Sequence, residues 1–209
     1  MSLVTNWGYT LTGEIAMLPD FITVEEYNAY TADKYSEDTR IESNIKAASQ
    51  AIRNYCGWHV YPSAECSMSE RLLYGDGRMK RVGSDLMIQL PAKFVTAIGS
   101  IMIDNVAYTD FVLDSGGIVH VFDIPEMSRK SIVEVEYTAG ITENLMNSIK
   151  ELTAHRVTHA LASSDGVTSE AAGGVSVTYN ANWINSARAS ALPDDNKEVL
   201  APYKIQGVF

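Results

Sequence analysis

The 209-residue chain has little of what marks several large functional classes. Its only cysteines are Cys56 and Cys66, too few for a disulfide framework. No secretory leader is expected at its start, and the thiols are read as reduced in a cytoplasmic setting. No apolar run approaches the length of a membrane span, because polar residues interrupt every candidate, so an integral membrane protein is not expected. Basic residues are scarce: 16 Lys and Arg stand against 26 Asp and Glu, a net charge of −10. No basic cluster is longer than Arg78-Met79-Lys80-Arg81. Tight wrapping of nucleic acid requires neutralised phosphates and is disfavoured, although nucleic acid sliding past an acidic surface is compatible with this balance. There is no Gly-x-Ser-x-Gly motif and no phosphate-cradling glycine loop; Gly75-Asp76-Gly77 reads as a hairpin turn. Internal repeats and low-complexity tracts are absent.

What is present suits a folded chain. Hydrophobic residues make up 46% and charged residues 20%, ordinary values for one sizeable core. The acid excess is uneven. Residues 1–100 hold 12 acids and 9 bases, whereas residues 101–209 hold 14 acids and 7 bases. Residues 1–20 show no clear period, but Trp7, Tyr9, Leu11, Ile15, Met17 and Leu18 are too apolar for a free linker. They read as an arm that packs on its own core or on a neighbouring copy.

Three helices are expected. Thr23-Val24-Glu25-Glu26 is a capping box flanked by Ile22 and Tyr27 at staple positions, and it predicts a short helix over about 23–33. A second helix is expected over about 37–56, capped by Ser36, with Glu37 and Asp38 at its positive end. Ile41, Ile45, Ala48, Ile52, Tyr55 and Cys56 fall on one face, with Glu42, Lys46, Gln50 and Arg53 opposite and Gly57 as the stop. A third is expected over about 143–162, capped by Thr142, with Leu145, Ile149, Leu152, Thr153 and Ala160 in a stripe. Arg156 projects into that stripe, so it needs a carboxylate or backbone partner, or it packs its stem and carries its head to water. Ile45, Ile52 and Ile149 are the expected core.

Between the second and third helices the pattern changes. Turns at Tyr74-Gly75-Asp76-Gly77, Asp104-Asn105 and Asp114-Ser115-Gly116-Gly117 separate β-rich runs at 86–90, 98–103, 111–113, 118–122 and 132–137. In the last run Val133, Val135 and Tyr137 share a face. The expected fold is therefore α+β: a small bundle of three helices with an antiparallel β-meander over about 67–138 inserted, and an extended C-terminal tail. The expected organisation is an arm at 1–20, a core at 21–162 and a tail at 163–209. In the tail, Ser163–Gly166 and Ala171–Gly174 look flexible. Val175, Val177 and Tyr179 alternate as a strand does, and Val199–Ile205 forms an apolar, proline-marked terminus.

Little here points to chemistry. His155 and His159 lie four apart on the third helix, but two ligands are not a metal site, and the glutamate of a zinc-protease helix is missing. His59 and His120 read as structural. Cys56, at a helix C-terminus, faces a dipole that opposes a thiolate. No catalytic residue, metal or cofactor is expected.

The order of segments resembles the head–tail connector, or adaptor, family of tailed bacteriophages. Ala51-Ile52-Arg53-Asn54-Tyr55-Cys56-Gly57-Trp58 carries the likeness, followed by Tyr74–Gly77, Leu90-Pro91 and Ile103-Asp104. Val133-Glu134-Val135-Glu136-Tyr137-Thr138-Ala139-Gly140 leading into 145–155 is the most characteristic stretch, and Leu200-Ala201-Pro202-Tyr203 closes it. The likeness covers about residues 23–162 and the terminus. It implies a non-enzymatic phage or prophage protein of the virion's head–tail interface, assembled in the bacterial host cytoplasm. Such a protein forms a ring below the portal, joins capsid to neck and tail, and extends the DNA channel. The implied partners are the portal, other neck or tail-completion proteins and about a dozen copies of itself, with DNA as cargo and no membrane. Val199, Leu200, Pro202 and Tyr203 are the expected partner-binding residues, and Arg156 a buried or interface charge. The competing readings are a metal-dependent enzyme using His155 and His159, and a host binding module without a phage role.

Overall fold

The structure, a computed structural model, describes residues 2–13, 15–71, 78–128, 130–162, 169–172, 175–178 and 194–205. The chain divides into two compact units. One comprises residues 1–19, 57–142 and 203–209, the other residues 20–56 and 143–202.

In the second unit, helix α1 (Val24–Tyr30) begins as the capping box dictates. The Glu26 N–H donates to Thr23 Oγ1 at 3.2 Å, and the Thr23 N–H donates to the Glu26 carboxylate at 2.9 Å. The helix stops early because Ala32 and Asp33 adopt φ of 50° and 59°, outside the helical region. Helix α2 spans Ile41–Cys56, four residues later than its expected start. Asp38 explains the delay. Its carboxylate takes the Arg40 backbone N–H at 2.9 Å and the Arg40 guanidinium at 2.7 Å, closing a turn ahead of the helix. Helix α3 (Asn147–Ala162) likewise starts late, after a 3₁₀ turn at Glu143–Leu145 that leaves Leu145 exposed. Ile22, Tyr27, Ile41, Ile45, Ala48, Ala154, Val157 and Leu161 form the core of this unit. Ile52 and Ile149 are fully buried as well.

Arg53 departs from its expected place on the polar face of α2. It is 2% exposed, and its guanidinium lies 4.4 Å from the centre of the Phe21 ring. Phe21 is held there by its own N–H, which donates to Ser49 Oγ at 3.1 Å. A two-stranded hairpin, β11 (Ser169–Ala172) with β12 (Val175–Thr178), and a short helix α4 (Asp194–Leu200) complete the unit.

The first unit is built of sheet. Its strands are β1 (Leu3–Val4), β2 (Thr10–Leu11), β3 (Ala64–Arg71), β4 (Met79–Val82), β5 (Asp85–Gln89), β6 (Val95–Ile103), β7 (Val106–Ala107), β8 (Phe111–Leu113), β9 (Ile118–Val121) and β10 (Ile132–Ala139). They form a six-stranded antiparallel sheet in the order β1-β2-β3-β10-β6-β7 and a four-stranded one in the order β4-β5-β9-β8. This corrects the expectation of a three-helix bundle with an inserted meander. Two antiparallel sheets of ten strands and the separate two-stranded hairpin accompany four α-helices among the described residues, and the strands of the two larger sheets do not pair in chain order.

The reason lies in β10. Val133, Val135, Tyr137 and Ala139 point to one face and are buried. β3 turns Ala64, Cys66 and Met68 inward, and β6 turns Ile101 and Ile103 inward. Burying all three rows on one face places β10 between β3, from Ala64↔Ala139 to Arg71↔Ile132, and β6. The chain therefore leaves the larger sheet after β3 and again after β7, building the smaller sheet on both excursions. The expected turn at Tyr74–Gly77, the Ser163–Gly166 and Gly173-Gly174 segments, and Tyr179 lie outside the described residues.

Candidate functional site

Four groups of residues are candidates for function: the C-terminal segment, Arg156, the histidine pair, and the outward face of the larger sheet.

In the C-terminal segment, Leu200 is fully buried, Val199 is 43% exposed, Pro202 is exposed and Tyr203 is half-buried. Tyr203 is tied to its own chain. Its carbonyl accepts from Trp58 Nε1–H at 2.6 Å, and its ring lies 5.7 Å from that of Phe94. Phe94 stacks on Trp58 at 6.1 Å. Phe94 holds φ of 53°, an uncommon conformation for a bulky residue. The aromatic series continues through His59, edge-on to Trp58 at 5.2 Å, to Tyr9 in the N-terminal arm.

His59 is a satisfied buried histidine. Its Nε2 faces the carbonyls of Pro62 at 3.0 Å and Ala139 at 3.2 Å, which accept only, so Nε2 carries the proton. Its Nδ1 then accepts from the Tyr9 hydroxyl at 2.6 Å, and the His59 backbone N–H donates back to that oxygen at 3.0 Å. Gly140 lies at φ of 124° beside this junction, where a Cβ would collide with the Pro62 backbone. The contacts of Phe94 with Trp58 and of His59 with Tyr9 were not readable, since sequence spacing carries no sign of either. The only local signal was Trp58 directly after the helix-ending Gly57.

Arg156 sits half-buried on α3. Its Nε is buried without a hydrogen-bond partner among the described residues, and burial pushes the guanidinium below its ordinary pKa. His155 and His159 are both exposed. His155 Nε2 shares a hydrogen bond with the Tyr30 hydroxyl at 2.9 Å, while burial and the neighbouring His155 lower His159. Among the described residues no three His, Cys, Asp or Glu side chains come together. Cys56 and Cys66 are buried and form no disulfide, and burial pushes the Cys66 thiol up to about 12.

An open groove of about 220 Å³ on the helical unit is floored by Ile22 and Ala154 and edged by Tyr30, Glu26 and Lys150. Its cation is occupied: Lys150 Nζ donates to Glu143 and Glu26, each at 2.6 Å. Those two carboxylates raise the lysine above its ordinary pKa, and the Lys150 contact lowers Glu26.

The outward face of the six-stranded sheet is mostly polar, with Arg71, Met102 and Ile132 at one end. Glu65, Glu134 and Glu136 project from it among Ser67, Ser69, Ser100 and Thr138. Ser100 Oγ donates to Glu136 at 2.9 Å and Ser69 Oγ to Glu134 at 3.4 Å.

This sequence matches the profile of the head completion protein family over residues 20–205. The chain belongs to that family. No curated protein matches it. The family assignment makes the chain a phage structural component that acts with other head and neck proteins, in line with the head–tail connector resemblance. The matched span holds all of the helical unit and, of the β-rich unit, residues 57–142 and 203–205, while residues 1–19 lie outside it. No helix among the described residues is long and apolar enough to cross a membrane.

Proposed function

We propose that this head completion protein is a non-enzymatic virion component that forms a ring of about a dozen copies below the portal. The ring joins the capsid to neck and tail proteins and extends the channel through which DNA passes. It assembles in the bacterial host cytoplasm. The observation that carries this reading is the family match over residues 20–205.

The charge distribution supports it. A conduit for DNA works when phosphates pass without adhering, and a wall of like charge achieves this. The net charge of −10 and the carboxylates of Glu65, Glu134 and Glu136 on the open sheet face suit such a wall. In this reading DNA is cargo and receives no sequence-specific contacts. In this reading Val199 and Pro202, the exposed members of the C-terminal segment, meet a neck protein, while Leu200 is buried and the Tyr203 carbonyl accepts from Trp58.

Negative-stain microscopy of the chain alone and mixed with its portal tests the proposal. Rings with an open centre, seated on the portal, are the expected result. A chain that stays monomeric and fails to co-sediment with the portal would refute it.

A further inference from the structure

Strand edges left open by the two large sheets are short or charged, with one exception. β1 and β7, at the ends of the larger sheet, are two residues each. In the smaller sheet, β4 carries Lys80 and Arg81, and β8 is three residues long between Asp110 and Asp114. Where β3 runs past β2 it holds Arg71 and Glu70, the latter paired with Arg78. These are the devices that keep sheet edges from pairing with other chains.

β6 has none of them. It is nine residues long, without charge or proline. β10 lies along one edge, and β7 covers the other only at Met102 and Ile103, with the Tyr108 N–H donating to the Ile101 carbonyl at 2.9 Å. From Val95 to Ser100 the outer edge has no strand partner among the described residues, and Thr96, Ala97 and Gly99 are exposed.

The same chain carries the complementary deficiency. Among the described strands, β11 and β12 pair with each other alone. A lone two-stranded hairpin is marginally stable in water and gains from a third strand. Its segment, Ser169–Thr178, contains a single charge, Glu170. Residues 163–168 join it to α3 and residues 179–193 join it to α4.

We propose that the β11–β12 hairpin of one copy adds to the Val95–Ser100 edge of β6 in the next copy, and that the ring closes through this strand addition. The inference rests on the ring reading above. Donor and acceptor are different surfaces of one chain, so the contact is head-to-tail and propagates around a ring rather than ending at a dimer. Main-chain hydrogen bonds supply the attachment. With one charge in the donor and none in the acceptor strand, the contact should be insensitive to salt.

Disulfide trapping in the full-length chain tests this. Native Cys56 and Cys66 are buried and stay out of mild oxidation. An Ala97→Cys/Ser176→Cys double variant, oxidised under conditions where microscopy shows rings, should give a ladder of covalent oligomers that collapses on reduction. A Val112→Cys/Ser176→Cys control, with its exposed partner on β8, should give no ladder. Three results overturn the proposal: rings without a ladder, an equal ladder in the control, or a disulfide closed within single chains. The absence of rings with or without the portal overturns the ring reading itself, and this inference with it. A second variant uses no engineered cysteine: deletion of residues 169–178 should leave the thermal midpoint unchanged and abolish rings. Rings from the deleted chain would overturn strand addition while leaving the ring reading intact.

Discussion

In the helical unit the groups that hold an element are mostly near it in sequence. Thr23 and Glu26 cap α1, Asp38 and Arg40 close the turn before α2, and Thr153 bonds back to the Ile149 carbonyl. In the β-rich unit the corresponding groups come from afar. β3 waits for β10, and the Tyr9 hydroxyl in the arm completes His59, which itself binds the carbonyl of Ala139. Local contacts cost little loop-closure entropy, while distant ones repay theirs only when several form together. The β-rich unit should therefore lose its structure as a whole, whereas the helical unit should tolerate loss of a cap with local fraying.

The largest expected effect lies in the β-rich unit. Leu86→Ala empties a fully buried position of β5 and should cost about 2–5 kcal/mol, read as a lower denaturation midpoint. Amide exchange should accelerate across β3, β5, β9 and β10 together. Acceleration confined to β5 would break the comparison. Next comes Tyr9→Phe, which removes the hydroxyl and leaves His59 Nδ1 and its backbone N–H buried without that partner. A cost of about 1–3 kcal/mol is expected, with faster exchange at Thr10 and Leu11. Thr23→Ala should cost about 1 kcal/mol through loss of the cap, with exchange rising in α1 and not in β10.

The smallest effect is on pH dependence. Hydrogen bonds from the Arg40 side chain and backbone lower Asp38 to about 2. A carboxylate depressed in the folded state stabilises it above the unfolded pKa of about 4, and that contribution is lost as pH falls toward about 2. Asp38→Asn should therefore flatten the stability profile between those values and leave it unchanged above about pH 5. A change of slope in acid titration is the readout. An altered slope near neutrality would contradict the assignment.

How much of this was legible in the sequence follows the same division. The capping box at Thr23 and Glu26, the buried Ile45, Ile52 and Ile149, and the inward row of Val133, Val135 and Tyr137 are periodic or local, and were readable. The pairing of β3 with β10 was not, because alternation names the buried face of a strand and not its neighbour. The strands at 3–4 and 10–11 are too short to show a period. Arg53 read as a surface charge, since nothing in the α2 pattern reveals that Phe21 would lie beneath it. In the candidate site, the apolar character of Leu200 and Tyr203 was legible, but the burial of one and the tether of the other to Trp58 were not.

The ring below the portal is the central claim, and heads made without this protein test it most directly. DNA-filled heads from a phage lacking the gene are imaged by electron cryomicroscopy before and after addition of the purified chain. The account predicts a new annulus of density on the portal's outer face, enclosing an open channel, together with recovery of tail joining. Heads that regain tails without added density at the portal, or added density anywhere else on the capsid, would contradict it.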